Sequence, residues 1–271
     1  MSDTLEWIAD LEWANYAATA ETARVTPGLD LVMREDLVLT SSTLLPIPDA
    51  NHACLLRTGE AQAEDLIKEV ESYYRGRDLA PTIYLSPACR PRSLIHHLKC
   101  RGFAPQPDRE AWMVLDDLGD FAIPSPTPKV SVETISKSDA ETFARVFLTA
   151  FGMPPEFTPA LAELLRPSVG LPNVRHYLAY TDDEAVGTCS LLTHDRFGVL
   201  GSVGVIRSRR SRGAATNLAI AAIQDAVQKQ GVQTLMLQTA ADTLLERFLR
   251  INGFRRAFTR TCYIQSDDQA G

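Results

Sequence analysis

The chain has 271 residues, of which 45% are hydrophobic and 23% are charged, so we expect a soluble protein with room for two domains of ordinary size. The net charge of −7 argues against a general nucleic-acid-binding protein, and no apolar run approaches the roughly 20 residues of a membrane span. The five cysteines form no Cys-x-x-Cys pair and the acidic N-terminus has no signal-peptide shape, so we expect no metal site, no disulfide framework and a cytoplasmic location.

The N-terminal half of the chain predicts one long helix followed by alternating strands and helices. The long helix, Thr4–Arg24, carries apolar residues at helical spacing, which indicates a stripe that faces a core. Near the end of this half, the dipeptide Gly102-Phe103 precedes an apolar strand. The remaining predicted elements are a strand at His52–Leu56, a helix at Ala61–Tyr74, a strand at Thr82–Leu85 and the last strand at Trp112–Leu115.

The segment that follows is predicted to be an extended linker, because Pro124, Pro126 and Pro128 lie at short spacing. We therefore predict a first domain over residues 1–120, a linker over residues 121–129 and a second domain over residues 130–266.

The C-terminal half predicts a longer series of elements. Ser138 and Asp139 are expected to provide the N-cap of a helix that ends at Phe151. The other predicted helices are Thr158–Leu165, Thr216–Gln230 and Asp242–Asn252. The predicted strands are Val130–Ile135, His176–Tyr180, Val186–Thr193, Phe197–Ile206, Leu235–Thr239 and Cys262–Ile264.

An arginine-rich turn between a strand and a helix is the most informative motif. The strand ends in Val203-Gly204-Val205, and Arg210-Ser211-Arg212-Gly213-Ala214-Ala215 leads into the helix. The first N–H groups of a helix have no internal partner, and the helix dipole places partial positive charge there. Small residues let a phosphate approach the main chain. The motif therefore predicts an anion site.

The spacing Arg210-x-x-Gly213-x-Ala215 resembles the (Gln/Arg)-x-x-Gly-x-(Gly/Ala) pyrophosphate loop of the GNAT superfamily of acyl-CoA-dependent N-acyltransferases. The order that follows, helix, strand, helix and Gly253-Phe254, is similar to the second half of the GNAT fold. The resemblance covers residues from about 130 to 265. It implies an α/β fold in which a mixed, mostly antiparallel sheet is flanked by helices.

The N-terminal half repeats this order of elements, which suggests an internal duplication and hence two tandem GNAT-like domains. The sequences around Gly102-Phe103 and Gly253-Phe254 align, and the strands before them lie at nearly equal distance. Only Arg57-Thr58-Gly59 separates strand from helix in the N-terminal half, with no cofactor loop. We therefore expect the first domain to be a degenerate GNAT domain.

The resemblance implies acetyl-CoA, or another acyl-CoA, as the acyl donor. The pyrophosphate would bind the N–H groups of Ser211, Arg212, Gly213, Ala214 and Ala215, and the pantetheine arm would lie beside Val203, Gly204 and Val205. A backbone N–H near Val203 would polarise the thioester carbonyl. Asp242 stands where many relatives have a cofactor-binding asparagine, and Leu249 stands where many have a tyrosine acid.

The catalytic base cannot be assigned from the sequence. The strand Phe197–Ser202 lacks the carboxylate that many relatives have. His194, Asp195 and Glu156 are weak candidates, and each of them, like His176, is more often a surface or structural residue.

The leading hypothesis is an N-acyltransferase, most simply an N-acetyltransferase, that acts on a small-molecule amine as a monomer or a homodimer. A non-catalytic CoA-binding or regulatory protein is an alternative, which Leu249 and Asp242 favour. A third hypothesis retains catalysis but uses another donor, such as a larger acyl-CoA or an aminoacyl-tRNA.

Overall fold

The computed structural model of the protein describes residues 2–45, 47–118, 121 and 123–265. The chain divides into two compact units, and neither unit is continuous in sequence. Unit 1 comprises Met1–Tyr16, Gly28–Met113 and Gln238–Gly271, and unit 2 comprises Ala17–Pro27 and Val114–Leu237. Within the described ranges, no helix has the length and apolar character needed to cross a membrane.

Unit 1 contains a sheet flanked by helices. Its strands follow the order β1-β2-β3-β4-β11-β5. The strands are β1 (Leu29–Met33), β2 (Val38–Ser42), β3 (His52–Cys54), β4 (Thr82–Leu85), β5 (Phe103–Leu115) and β11 (Arg255–Gln265). The helices are α2 (Ala63–Arg75), α3 (Leu94–Cys100), α7 (Leu244–Ile251) and the part of α1 (Ser2–Val25) up to Tyr16.

The last strand of the chain belongs to the sheet of unit 1. β11 pairs antiparallel with β4, with Cys262 opposite Tyr84 and Tyr263 opposite Ile83. Tyr263 also joins the apolar core beneath α2 and α3, where Ile67 and Leu98 are fully buried. This grouping differs from the predicted domain of residues 130–266, because the strand pairing of β11 is a long-range contact that local sequence does not encode. The predicted boundaries, which include residues outside the described ranges, remain a prediction.

Unit 2 contains neighbouring strands in the order β10-β9-β8-β7-β6. β6 to β9 pair antiparallel, and β9 and β10 pair in parallel. α4 packs on β8 and β9, and α6 packs on β7, β8 and β9. The strands are β6 (Ser131–Thr134), β7 (Val174–Thr181), β8 (Glu184–His194), β9 (Phe197–Val205) and β10 (Thr234–Ala240), and the helices are α4 (Ala140–Phe151), α5 (Thr158–Leu165) and α6 (Ala214–Gln230).

The predicted repeat of Gly-Phe is present in the structure. Gly102 follows α3 with φ of 80°, and Gly253 follows α7 with φ of 91°. Only glycine adopts this conformation at little cost, so it is the natural residue to end both helices. The phenylalanine after each glycine is buried. The two halves of the sequence therefore have the same order of elements, and the helix before each Gly-Phe ends in the same way.

The start of α4 lies where it was predicted, but a short 3-10 turn precedes it. Ser136, rather than Ser138 or Asp139, caps the 3-10 turn that leads into the helix. The backbone N–H of Ser136 donates to Oδ2 of Asp139 at 2.8 Å, and the Ser136 side chain completes a capping box. Asp139 is the N-cap residue of α4, but its side chain accepts hydrogen bonds from Ser136 and makes no capping bond to the helix.

Candidate cofactor and active site

In unit 2, β9 separates from its parallel neighbour partway along its length. β9 pairs with β8 from Phe197 to Val205, but it pairs with β10 only from Phe197 to Val199. Among the described residues, the second edge of β9 towards Val205 therefore lacks a strand partner. Free backbone groups at such an edge can pair with an extended ligand, as an added strand would.

A β-bulge turns the backbone of β9 at the same place. Ser190 lies opposite Gly201 and Thr188 lies opposite Gly204, so β9 contains one extra residue. Ser202 has φ of 53°, and its carbonyl oxygen accepts a hydrogen bond from the buried Thr188 hydroxyl at 2.7 Å. Bulges re-aim the groups next to them and are common beside active sites. Here the residues within the bulge of β9 are Ser202 and Val203.

The predicted anion loop lies between β9 and α6. Ser211 has φ of 61° and Gly213 has φ of 92°, and the helix begins at Ala214. The first helical hydrogen bond runs from Asn217 N–H to the Gly213 carbonyl oxygen at 2.9 Å, and no side chain caps the helix. In the described part of the chain, the N–H groups of residues 211–216 therefore have no protein acceptor. An uncapped start of a 17-residue helix can bind an anion.

The four arginines of this loop have different roles. The Arg210 side chain donates to the carbonyl oxygens of Val205 at 3.1 Å and Ala150 at 3.2 Å, so it fixes the loop to β9 and α4. Arg209 forms an ion pair with Glu184. Arg207 and Arg212 are exposed and form no ion pair with any described residue. These two guanidinium groups are free to attract a phosphate.

The end of α4 borders the bulged part of β9. A Cβ atom at Gly204 would lie 2.7 Å from Cε2 of Phe151, so a larger residue at position 204 would displace that ring. Glu156 follows in the exposed 3-10 turn Pro155–Phe157. Of the three weak candidates for a base, Glu156 is the one on the chain segment next to this end of β9.

His194 and Asp195 lie in the turn that joins β8 to β9. His194 Nε2 is 3.4 Å from Asp195 Oδ2, and both side chains are exposed. Val203 lies six positions after Phe197 along β9, which corresponds to about 20 Å at ~3.3 Å per residue. The structure therefore does not bring this pair together with the bulge.

His176 is buried in the sheet. Its Nδ1 lies 2.7 Å from Ser190 Oγ and its Nε2 lies 2.9 Å from Ser168 Oγ. Burial lowers the pKa of His176 to about 4, so the ring is neutral near pH 7. Both ring nitrogens are engaged by hydroxyl groups, which makes this a structural histidine.

Asp242 and Leu249 lie in unit 1. Asp242 accepts hydrogen bonds from Arg256 at 2.7 Å and Arg109 at 3.2 Å, and the Arg256 hydrogen bond lowers the pKa of this carboxyl group. Leu249 is buried and has no proton to donate, while the neighbouring Phe248 is half exposed.

The counterpart of this loop in unit 1 is occupied by the protein's own backbone. The Leu56 carbonyl oxygen accepts from the Arg90 N–H at 2.9 Å, and the Thr58 N–H donates to the Arg90 carbonyl oxygen at 3.0 Å. A cleft of about 610 Å³ next to it is lined by four carboxylates and three arginines, and each of these arginines forms an ion pair with one of the carboxylates. Paired backbone groups and carboxylates are unsuited to a pyrophosphate.

Two residues that position the loop escaped sequence analysis. Asn217 is buried on the first turn of α6, and it hydrogen-bonds to the backbone of Thr127. The only signal in the sequence is a polar residue among the apolar positions of a helix, which does not identify a partner 90 residues away.

Comparisons with known proteins agree with this geometry. Residues 141–254 match the model of the acetyltransferase (GNAT) family. A GCN5-related N-acetyltransferase from Kribbella flavida is 15% identical, with a TM-score of 0.69 over 94% of this chain and 96% of that chain. A tandem GNAT protein from the clavulanic acid biosynthesis pathway is also 15% identical, with a TM-score of 0.64 over 91% and 86% of the two chains.

A GCN5-related N-acetyltransferase from Sphaerobacter thermophilus is 19% identical, with a TM-score of 0.60 over 88% of this chain and 82% of that chain. No curated protein sequence matches the chain. Residues 141–254 are therefore a GNAT acetyltransferase domain, and the chain has the tandem GNAT fold that the sequence predicted.

Proposed function

We propose that the protein is an acyl-CoA-dependent N-acyltransferase, most simply an N-acetyltransferase, that acts on a small-molecule amine in the cytoplasm. The observation that carries this proposal is the juxtaposition in unit 2 of an uncapped helix start and an unpaired, bulged strand edge on either side of one loop. The helix start binds a pyrophosphate, and the strand edge pairs with the amide groups of a pantetheine arm.

In this proposal the chain's backbone supplies most of the catalysis. The pyrophosphate accepts hydrogen bonds from the N–H groups of Ser211–Ala215, with Arg207 and Arg212 beside it. The N–H of Val203 polarises the thioester carbonyl and stabilises the oxyanion that forms when the amine attacks. Holding the two reactants together can supply several kcal/mol, within the ~7–11 kcal/mol of ideal intramolecular reactions.

The proton steps use no fixed tyrosine acid. Leu249 is at the position where the family resemblance would place one, so the thiolate leaves as the anion or takes a proton from solvent. Tyr177 does not replace it, because its buried hydroxyl donates to Asp225 Oδ2 at 2.8 Å and burial raises its pKa. Glu156 remains a candidate for receiving the amine proton.

The amine acceptor is proposed from charge alone. The chain has a net charge of −7, which favours cationic ligands over anionic acceptors.

Thiol release from acetyl-CoA across a panel of primary amines and polyamines tests this function. Reactions without amine measure background hydrolysis, and longer acyl-CoA donors test the choice of donor. We expect amine-dependent release by the wild-type protein and at least tenfold lower kcat/KM for acetyl-CoA in Arg212→Glu. Binding of acetyl-CoA without release by any amine would instead support a non-catalytic CoA-binding protein.

A further inference from the structure

Within unit 2, a short segment before β6 is attached to the first turn of α6. Asn217 has 5% of its surface exposed and makes three hydrogen bonds to the backbone of this segment. Its Oδ1 accepts from the Thr127 N–H at 2.8 Å, and its Nδ2 donates to the carbonyl oxygens of Thr127 at 3.0 Å and Val130 at 2.8 Å. Both polar atoms of the buried amide are therefore satisfied by the segment 127–130.

The same segment is in contact with the anion loop. A Cβ atom at Gly213 would lie 2.6 Å from Cβ and 2.9 Å from Cγ2 of Thr127, and it would lie closer still to the Thr127 hydroxyl oxygen. Atoms at such distances overlap, so Gly213 must lack a side chain for Thr127 to stay in place. The φ of 92° at Gly213 is a second reason for glycine.

Asn217 also belongs to the loop through its own backbone. Its N–H donates to the Gly213 carbonyl oxygen at 2.9 Å, which is the first hydrogen bond of α6. One residue therefore holds Gly213 with its main chain and the segment 127–130 with its side chain. Any movement of that segment changes the packing against Gly213, whose N–H is one of the groups proposed to bind the anion.

From these contacts we infer that Asn217 is a positioning residue for the acyl donor, and that ordering of the segment 127–130 and donor binding are coupled. The inference rests on the proposed function, because it takes the pyrophosphate of an acyl-CoA as the anion. Coupling is reciprocal: if the attached segment strengthens CoA binding, CoA must strengthen the attachment by the same factor.

Hydrogen exchange with and without CoA measures this coupling in the full chain. The Thr127 amide donates to Asn217, so its exchange reports whether the segment is attached. We expect saturating CoA to slow exchange of the Thr127 amide about tenfold and to leave the Thr58 amide of unit 1 unchanged. The variant Asn217→Ala should bind CoA about tenfold more weakly, by calorimetric titration, and should lose this protection.

The outcomes separate the inference from the proposed function. A wild-type protein that does not bind CoA would contradict the proposed function. A wild-type protein that binds CoA, with unchanged exchange at Thr127 and equal affinity in Asn217→Ala, would overturn only the inference.

A second set of variants applies even if Asn217→Ala does not fold. Gly213→Ala introduces the overlap with Thr127, and Thr127→Gly removes all the atoms involved. We expect Gly213→Ala to weaken CoA binding. The double variant, which also carries Thr127→Gly, should bind CoA at least tenfold more tightly than Gly213→Ala alone. If the effects of Gly213→Ala and Thr127→Gly on CoA affinity simply add, the contact between these residues does not position the loop, and the inference is wrong.

Discussion

The hydroxyl group of Thr188 donates a hydrogen bond to the carbonyl oxygen of Ser202, at 2.7 Å, across the one bulge of the β8–β9 pair. Thr188 is fully buried, and Ser202 has the positive φ of 53° that the bulge requires. This bond holds the backbone just before Val203, whose N–H we assign to the thioester carbonyl.

Thr188→Val should therefore reduce catalysis more than cofactor binding. Valine preserves the shape of threonine but leaves the Ser202 carbonyl without its donor, at a cost of about 1–3 kcal/mol to the bulge. We expect kcat to fall about tenfold or more while the Kd for CoA changes less than threefold, since the loop at Ser211–Ala215 is untouched. Steady-state kinetics and calorimetry measure the two quantities.

Thr188→Ser is the matched control, because serine keeps the hydroxyl and loses only a methyl group. It should retain most of the kcat that Thr188→Val loses. Equal losses in the two variants would show that packing, and not the hydrogen bond to Ser202, is what matters.

The chain should bind one CoA. Unit 2 offers the free N–H groups of the loop, whereas in unit 1 the Thr58 N–H donates to the Arg90 carbonyl oxygen and the Arg90 N–H donates to the Leu56 carbonyl oxygen. Calorimetric titration of acetyl-CoA should give a stoichiometry near one per chain. A value of two would mean that the N-terminal half is not degenerate.

Turnover should not depend on a tyrosine acid. Tyr177→Phe deletes only the hydroxyl that donates to Asp225, so we expect a loss of about 1 kcal/mol of stability and less than a twofold change in kcat. Leu249→Tyr, which places a phenol at the position that the resemblance assigns to it, should leave kcat unchanged or raise it.

A hundredfold fall in kcat for Tyr177→Phe at unchanged CoA affinity would contradict this account. Such a fall corresponds to about 2.7 kcal/mol at ~1.36 kcal/mol per tenfold, and would identify Tyr177 as the acid.

The buried carboxyl of Glu12 should make unit 1 less stable as the pH rises. Burial raises the pKa of Glu12 from its ordinary value of 4.5 to about 7, although Arg260 and a hydrogen bond from Ser86 act in the opposite direction. Between pH 4.5 and pH 7 the unfolded chain is ionised at this group while the folded chain holds the proton. Stability is therefore lost across that window, by up to about 3 kcal/mol.

Glu12→Gln removes the titration and keeps a polar group beside Ser86. Its Tm relative to wild type should increase from pH 5 to pH 8. A difference that stays constant across this range would exclude Glu12 as the titrating group.

The sequence was informative where structure is local and uninformative where it is not. The periodic helices and the strand Thr82–Leu85 were predicted with bounds close to those observed, and so was the strand–loop–helix motif around Gly213. The first half of β5 was missed, because Pro105 and Pro107 are unusual within a strand. The strands β1 and β2 were also missed.

Other features were not predicted because they depend on long-range contacts. The pairing of β11 with β4 and the hydrogen bonds from Asn217 to Thr127 join residues that are distant in sequence, and no local pattern specifies their partners. No local pattern specifies a catalytic base either, because its identity depends on which side chain the fold brings close to Val203.

Calorimetric titration of acetyl-CoA into Arg212→Glu tests the central claim, that the loop before α6 is the cofactor site. The Arg212 side chain is exposed and unpaired among the described residues, so its substitution removes no structural contact. Arg145→Glu, on the exposed side of α4, applies the same change in charge elsewhere in unit 2. The account predicts a loss of about tenfold in affinity, ~1.4 kcal/mol, for Arg212→Glu and none for Arg145→Glu. Equal affinity in the wild type and both variants would contradict it.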